Sequence, residues 1–257
     1  MNDNLVISGR SFSSRLFLGT GKFSSVNEMK QAVSASGTEM VTVALRRVDF
    51  HNPQDPLIYN LDRKKILLLP NTSGAKNALE AVRLAKIARE MGCGSWIKLE
   101  LTPHPRHLLP DPVETLQAAE ILIKDGFTVL PYINADPVLA KKLEDAGAAA
   151  VMPLGSPIGT ARGLRTRDML EIIIGDSNVP VIIDAGIGTP AQACEAMIMG
   201  ADAVLVNTAV SASANPVLMA EAFKIAVVSG RMAYNAGIAG ASGAARASSP
   251  LEGMIFD

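Results

Sequence analysis

Cysteine, histidine and aromatic residues are scarce in this chain, which holds two cysteines, three histidines and 4% aromatics. Cys93 and Cys194 are far apart and form neither a metal-ligand spacing nor a redox pair, so both read as buried free thiols. His51, His104 and His107 fit no H-E-x-x-H or related pattern, and His104 and His107 read as surface residues of a loop. No G-x-G-x-x-G opens the first helix, and no nucleophile elbow suggests a Ser–His–Asp hydrolase. Neither a metal nor a cofactor is therefore expected. No apolar run approaches the roughly 18 residues needed to span a bilayer. The first residues lack the basic and apolar regions of a signal peptide, so a cytoplasmic location is the expectation. Basic residues are not in excess either: 24 Lys and Arg against 25 Asp and Glu give a net charge of −1, with no basic block to track a nucleic-acid backbone.

Apolar residues supply 48% of the 257 positions, enough for a sizeable core. Eight short apolar runs recur at intervals of roughly 20 to 30 residues. They are Leu16–Leu18, Met40–Leu45, Ile66–Leu69, Trp96–Leu99, Thr128–Pro131, Ala149–Met152, Val181–Ile183 and Ala203–Val206. Several are continuously apolar, as strands covered on both faces should be. Helical patterns separate most of them: Ala75 to Met91, Pro112 to Asp125, Pro137 to Gly147, Pro190 to Gly200, and Pro216 to Gly230. The repeated Pro at the start and Gly past the end is helix punctuation. Eight strand–helix units in this length predict a single-domain (β/α)8 TIM barrel over residues 1–257, with a doubly wound open sheet as the other architecture. Two segments break the rhythm: the polar connection Arg46 to Lys65, and a Gly/Ala/Ser-rich tail from about 233 to 257. The tail would serve as a lid, an interface arm or a disordered end.

Within Trp96-Ile97-Lys98-Leu99-Glu100, strand alternation puts Lys98 and Glu100 on one face. If that face is interior, burial lowers the amine pKa while the carboxylate opposes it, and a lysine near that balance is a nucleophile toward carbonyls. An exposed salt-bridged pair would carry the same five residues. In barrels the active site lies at the C-terminal ends of the strands. There the sequence places Gly19-Thr20-Gly21-Lys22, Arg46-Arg47, Asn71-Thr72-Ser73-Gly74, Gly155 to Gly159, Asp184 to Gly188, and Asn207-Thr208. The loops after strands six, seven and eight have the bare backbone amides of a phosphate cup, although tight turns alone would also account for their glycines. Asp184 ends an apolar run and should project into the barrel mouth as an acid or base beside Lys98, since Thr189 is the better helix cap.

Several of these segments, taken in order, resemble bacterial thiazole synthases of thiamine biosynthesis. They are Leu18 to Phe23, Arg46 to Asp49, Leu69 to Gly74, Trp96 to Glu100, Leu108 to Pro112, Val151 to Gly159, Asp184 to Gly188, Val204 to Ala209 and Ser248 to Gly253. The resemblance implies condensation of 1-deoxy-D-xylulose 5-phosphate, dehydroglycine and sulfur into a thiazole phosphate. The sulfur would come from a small carrier protein bearing a C-terminal thiocarboxylate. It implies that Lys98 forms an imine with the sugar ketone and that Glu100 and Asp184 are the acid–base residues. Gly159, Ala185, Gly186, Asn207 and Thr208 would hold the substrate, mainly its phosphate end. It also implies a homo-oligomer that docks its carrier at the barrel mouth. Gly237 to Arg246 departs from the pattern, being nearly all Gly, Ala and Ser where more basic and bulky residues are expected. A class I aldolase or sugar-phosphate isomerase would use a similar barrel, lysine and cup without a protein partner. A non-catalytic phosphate-binding scaffold would need no nucleophile.

Overall fold

A computed structural model describes residues 3–45 and 61–240. Arg46-Arg47, most of the polar connection including His51, and the tail beyond residue 240 lie outside the described residues.

The chain opens with an antiparallel hairpin, β1 (Leu5–Ile7) and β2 (Arg10–Phe12), followed by β3 (Leu16–Gly19) and helix α1 (Val26–Ser36). Then come β4 (Met40–Ala44), β5 (Leu67–Asn71), α2 (Ala78–Ala88), a π-helical turn at Arg89–Cys93, and β6 (Trp96–Leu99). The second half continues with α3 (Pro112–Lys124), β7 (Thr128–Ile133), α4 (Pro137–Ala146), β8 (Met152–Pro153) and α5 (Arg167–Asp176). It ends with β9 (Ile182–Asp184), α6 (Pro190–Ile198), β10 (Ala203–Val206), the short α7 (Thr208–Ser211) and α8 (Pro216–Ala236).

Strands β3 to β10 form one parallel sheet, running β8-β7-β6-β5-β4-β3-β10-β9. Parallel bridges Val151–Val181 and Leu154–Asp184 join its two ends. The result is the expected (β/α)8 barrel. Strand parity divides its side chains. Phe17, Met40, Leu69, Leu130, Ala150, Met152, Ile182, Ala203 and Leu205 fill the interior together with Leu5, Ile7 and Phe12 of the hairpin. Phe12 meets Phe17 and Trp96 edge-on, with centroids 5.8 and 6.2 Å apart, so β1 and β2 plug the end of the barrel. The intervening residues, such as Leu18, Val43, Ile183 and Val206 in one cluster and Ile97, Leu99 and Val129 in another, pack outward beneath the helices.

The helix starts follow their caps. Asp111, Asp136, Thr189 and Asn215 each accept from backbone amides of the first turn, with proline next in sequence. Thr189 forms a capping box with Gln192, which leaves Asp184 free of any capping role. Two expectations shift. Helix α2 begins at its Asn77 cap rather than at Ala75, although it does break at Gly92, which is left-handed at φ 81°. The last helix does not stop at Gly230 but runs to Ala236, past the predicted start of the tail. Gly230 is a contact point between helices: a β carbon there would lie 2.5 Å from the Cys194 carbonyl oxygen of α6. Helix α5 carries no proline–glycine punctuation, and α1 has only the glycine half of it, ending at Gly37, left-handed at φ 63°. Helix α1 is set by its Ser25 cap and by buried Met29, Ala32, Val33 and Ser36 at helical spacing. Of the two cysteines, Cys93 is buried and Cys194 half-buried, and both are free.

Candidate active site

At the C-terminal ends of the strands the interior changes from apolar to charged. Lys98 points inward from β6, above the Leu130 and Met152 layer, and is only 4% exposed; Glu100 and Asp184 are 5% and 3% exposed. The Lys98 Nζ donates to Glu100 Oε2 at 3.3 Å. It lies 2.5 Å from Asp184 Oδ2, an oblique ion-pair contact that leaves this oxygen without an aligned hydrogen-bond donor. Nζ also sits over the Tyr132 ring, 5.2 Å from its centroid. Thr72, fully buried, fixes Glu100: its hydroxyl donates to the Glu100 carbonyl (3.0 Å) and accepts from the Glu100 amide (2.9 Å).

The charge balance differs from the expected near-neutral lysine. Burial is the largest influence on Lys98 and favours the free amine. The charges of Asp184 and then Glu100 together outweigh it, and the ammonium is held above its ordinary pKa. Asp184 is also raised, first by burial and further by Glu100, with Lys98 opposing. Burial and the same two carboxylates push the Tyr132 hydroxyl up. With one ammonium and two carboxylates the cluster carries a net −1 when ionised.

A cleft of about 230 Å³ opens over this cluster. Lys98, Glu100, Asp184, Gly159, Ala185, Gly186, Asn207 and Thr208 all line it. The structure thus brings every sequence-predicted site residue into one cavity, of a size for a small metabolite. Thr20, Thr42, Asn71 and Ser73 also line it. Thr42 and Asn71 were legible in principle, since they share inward parity with Met40 and Leu69. Tyr132 has the same parity as Leu130 and gave no other signal.

The glycine-rich end is tightly built. Gly186 has φ 80°, and a β carbon there would fall 2.0 Å from Ser156 Oγ and 2.5 Å from the Ser156 amide nitrogen. The loops after β8 and β9 are further laced by Gly163 N–H to the Gly186 carbonyl at 2.8 Å. Gly186 is therefore demanded by the fold of its own loop, whatever it does for a ligand. Asn207, with its amide oriented to satisfy its neighbours, donates to the carbonyls of Gly19 (3.2 Å) and Gly21 (2.8 Å), bracing the loop after β3. Five described non-glycine residues have left-handed backbone; Leu108, Ala161 and Ala185 among them line the cleft, and Lys22 touches its rim through Thr208. Such strain concentrates at functional sites. His104 and His107 are exposed on the loop after β6 and do not line the cleft. Among the described residues no cluster of His, Cys, Asp and Glu is arranged to hold a metal, and no helix is long and apolar enough to cross a membrane.

Residues 6–250 match the family model described as thiazole biosynthesis protein ThiG. The chain belongs to the thiazole synthase family. Thiazole synthase of Syntrophobacter fumaroxidans is 64% identical over 99% of this chain and 100% of its own length. That of Vibrio parahaemolyticus is 58% identical over 98% of each. Among solved structures, the BexX/CysO complex of Amycolatopsis orientalis superposes with a TM-score of 0.83 at 29% identity, covering 93% of this chain and 98% of that one. The chain is thus a thiazole synthase of thiamine biosynthesis, and the charged cluster with its cleft is its candidate active site.

Proposed function

We propose that Lys98 captures 1-deoxy-D-xylulose 5-phosphate as a Schiff base, and that this covalent sugar is joined to dehydroglycine and sulfur to give the thiazole phosphate. The observation that carries the reading is the Lys98 amine at the floor of the cleft, 2.5 Å from Asp184 and 3.3 Å from Glu100. Because the amine rests as an ammonium, it must shed a proton before it can attack. Asp184 Oδ2 is the acceptor at hand: it touches Nζ, lacks another donor, and is already raised by burial. The neutral amine adds to the ketone carbon, and one of its protons passes to the new alkoxide. The carbinolamine hydroxyl then leaves as water with a proton returned by Asp184, while nitrogen lone-pair donation forms the C=N bond. Glu100, held through Thr72, remains as the counter-charge for the iminium and as a second proton carrier.

The phosphate is assigned to the other end of the cleft, among Gly159, Ala185, Gly186 and Thr208, where glycines let an anion approach the backbone closely. Asn207 contributes by bracing that end. The sulfur donor is read as a carrier protein with a C-terminal thiocarboxylate. In support, the solved neighbour at 29% identity is a complex of two proteins. A homo-oligomer fits the exposed stripe of Leu218, Ile225, Val228 and Met232 on α8. The full-length family match leaves no separate support for an aldolase, an isomerase or a passive scaffold. Hydride reduction in the presence of the sugar phosphate should attach it to the peptide containing Lys98, and Lys98→Arg should abolish labelling because a guanidinium keeps its proton. Label found on Lys22 or Lys76 instead would refute the assignment.

A further inference from the structure

We propose that Lys22 is the cationic ligand of the substrate phosphate and sets the preference for a phosphorylated over an unphosphorylated sugar. The inference rests on the sugar-phosphate reading above. Three observations converge on this residue, whose role in the cleft the sequence did not announce.

The first is charge. Among the described residues, the charged ones lining the cleft are Lys98, Glu100 and Asp184, which sum to −1. The other described lining residues are neutral. A phosphate dianion meeting these described lining residues faces a field of its own sign. A cation at the far rim reverses that local balance. The second observation is position. Lys22 leaves the loop after β3, and its Nζ donates to Thr208 Oγ1 at 3.4 Å. The same Nζ is 3.6 Å from where a β carbon of Gly159 would stand. It therefore spans the loops after β3, β8 and β10 at the glycine-lined end. It is exposed, and among the described residues no carboxylate is paired with it. An ammonium held only by a long hydroxyl contact has donors left for an anion. The third is backbone strain. Lys22 sits at φ 69°, where lysine is disfavoured and glycine is at ease. A side chain kept at a glycine position argues that the side chain itself is needed.

The test compares Lys22→Gln, Lys22→Arg and Lys22→Gly with the wild-type protein. Calorimetry gives the affinity for inorganic phosphate, and reductive trapping gives the capture of 1-deoxy-D-xylulose and of its 5-phosphate. Lys22→Gln should weaken capture of the phosphate ester roughly tenfold to a hundredfold, the scale of a charge-assisted hydrogen bond. It should leave the unphosphorylated sugar within about twofold. Lys22→Arg should restore most of the preference. Lys22→Gly should lose the preference while melting at a higher temperature, because it relieves the left-handed strain. Equal losses for both sugars would mean that Lys22 only shapes the cleft, and an unchanged preference in Lys22→Gln would remove it from the phosphate site; either overturns the proposal. A lower melting temperature for Lys22→Gly would overturn the strain argument. A wild-type protein that captures both sugars equally would instead refute the phosphate reading on which the proposal rests.

Discussion

Replacing Lys98 by methionine separates the charge of this residue from its volume. The methionine stem fills nearly the same space, so no large cavity forms. What is lost is the cation lying between two buried carboxylates at 2.5 and 3.3 Å. Removing one member of a buried ionic cluster costs about 3–5 kcal/mol, because the remaining charge stays desolvated without a partner. The cleft admits water from one side, which places the expected loss near the lower end, about 3 kcal/mol. For a chain of this length that corresponds to a fall in Tm of roughly 6–12 °C. The pH dependence gives a sharper test. Asp184 is already raised above its ordinary 3.8 with the ammonium present, and without it burial and Glu100 act unopposed. A carboxyl raised in the folded state binds more protons there than in the unfolded chain, so stability falls as pH rises from the ordinary value through the raised one. The deficit of Lys98→Met should therefore be small near pH 4 and grow toward neutrality. Denaturant unfolding at a series of pH values measures it. A deficit that is absent at pH 8, or equally large at pH 4, would refute the view that Lys98 neutralises these carboxylates.

Asp184→Asn and Glu100→Gln keep shape while removing a titrating group, and each should slow turnover by ~10²-fold or more. Turnover within a factor of about two of wild type would remove that residue from the acid–base assignment. The rate of imine formation should be nearly flat across neutral pH, because the proton moves from Lys98 to Asp184 without leaving the cluster; a rise of about tenfold per pH unit in stopped-flow trapping would indicate deprotonation by solvent instead. Gly230→Val should lower stability by about 1–3 kcal/mol or more, since its β carbon meets the Cys194 carbonyl at 2.5 Å, while the kcat of the folded fraction is retained; thermal melts and active-site titration separate the two.

The barrel was legible because its strands obey two independent signals, apolar runs and Pro–Gly helix punctuation. Parity within Trp96–Glu100 was enough to place Lys98 and Glu100 on the same face, and the apolar interior shows why that face is inward. The position of Asp184 after an apolar run pointed to the mouth. What the sequence could not supply were quantities that depend on distant residues meeting. The sign of the Lys98 shift turns on how many carboxylates surround it, and Asp184 arrives from 86 positions away, across the barrel. Gly186 and Gly230 looked like a ligand contact and a helix stop, yet their constraints come from Ser156 and Cys194. Asn207, read as a substrate ligand, lines the cleft and in addition braces the loop after β3 through the carbonyls of Gly19 and Gly21. Helix α5 lacks cap and glycine signals and is held mainly by the face it buries, while α1 offers only a serine cap and a closing glycine without the opening proline.

Three charges rather than two make the buried cluster suitable for covalent chemistry. A single buried lysine would be a free amine, but it would leave a nascent iminium without a counter-charge. A lysine with one carboxylate would form a closed pair, and taking its proton would leave no anion behind. With Glu100 and Asp184 both present the cluster holds one carboxylate in surplus. The proton can move from Nζ to Asp184 while Glu100 stays ionised, so the net charge of −1 is the same before and after the transfer. No ion need cross the apolar layer of Leu130, Met152 and Ile182 beneath, which the hairpin residues Leu5, Ile7 and Phe12 close off. In the proposed Schiff-base route the new iminium would take the place of the ammonium between the same carboxylates, with Thr72 keeping the backbone of Glu100 in register. The raised pKa of the resting amine is thus compatible with nucleophilic attack: the free amine is reached by transfer within the cluster, and the protonated state is the one that resembles the intermediate.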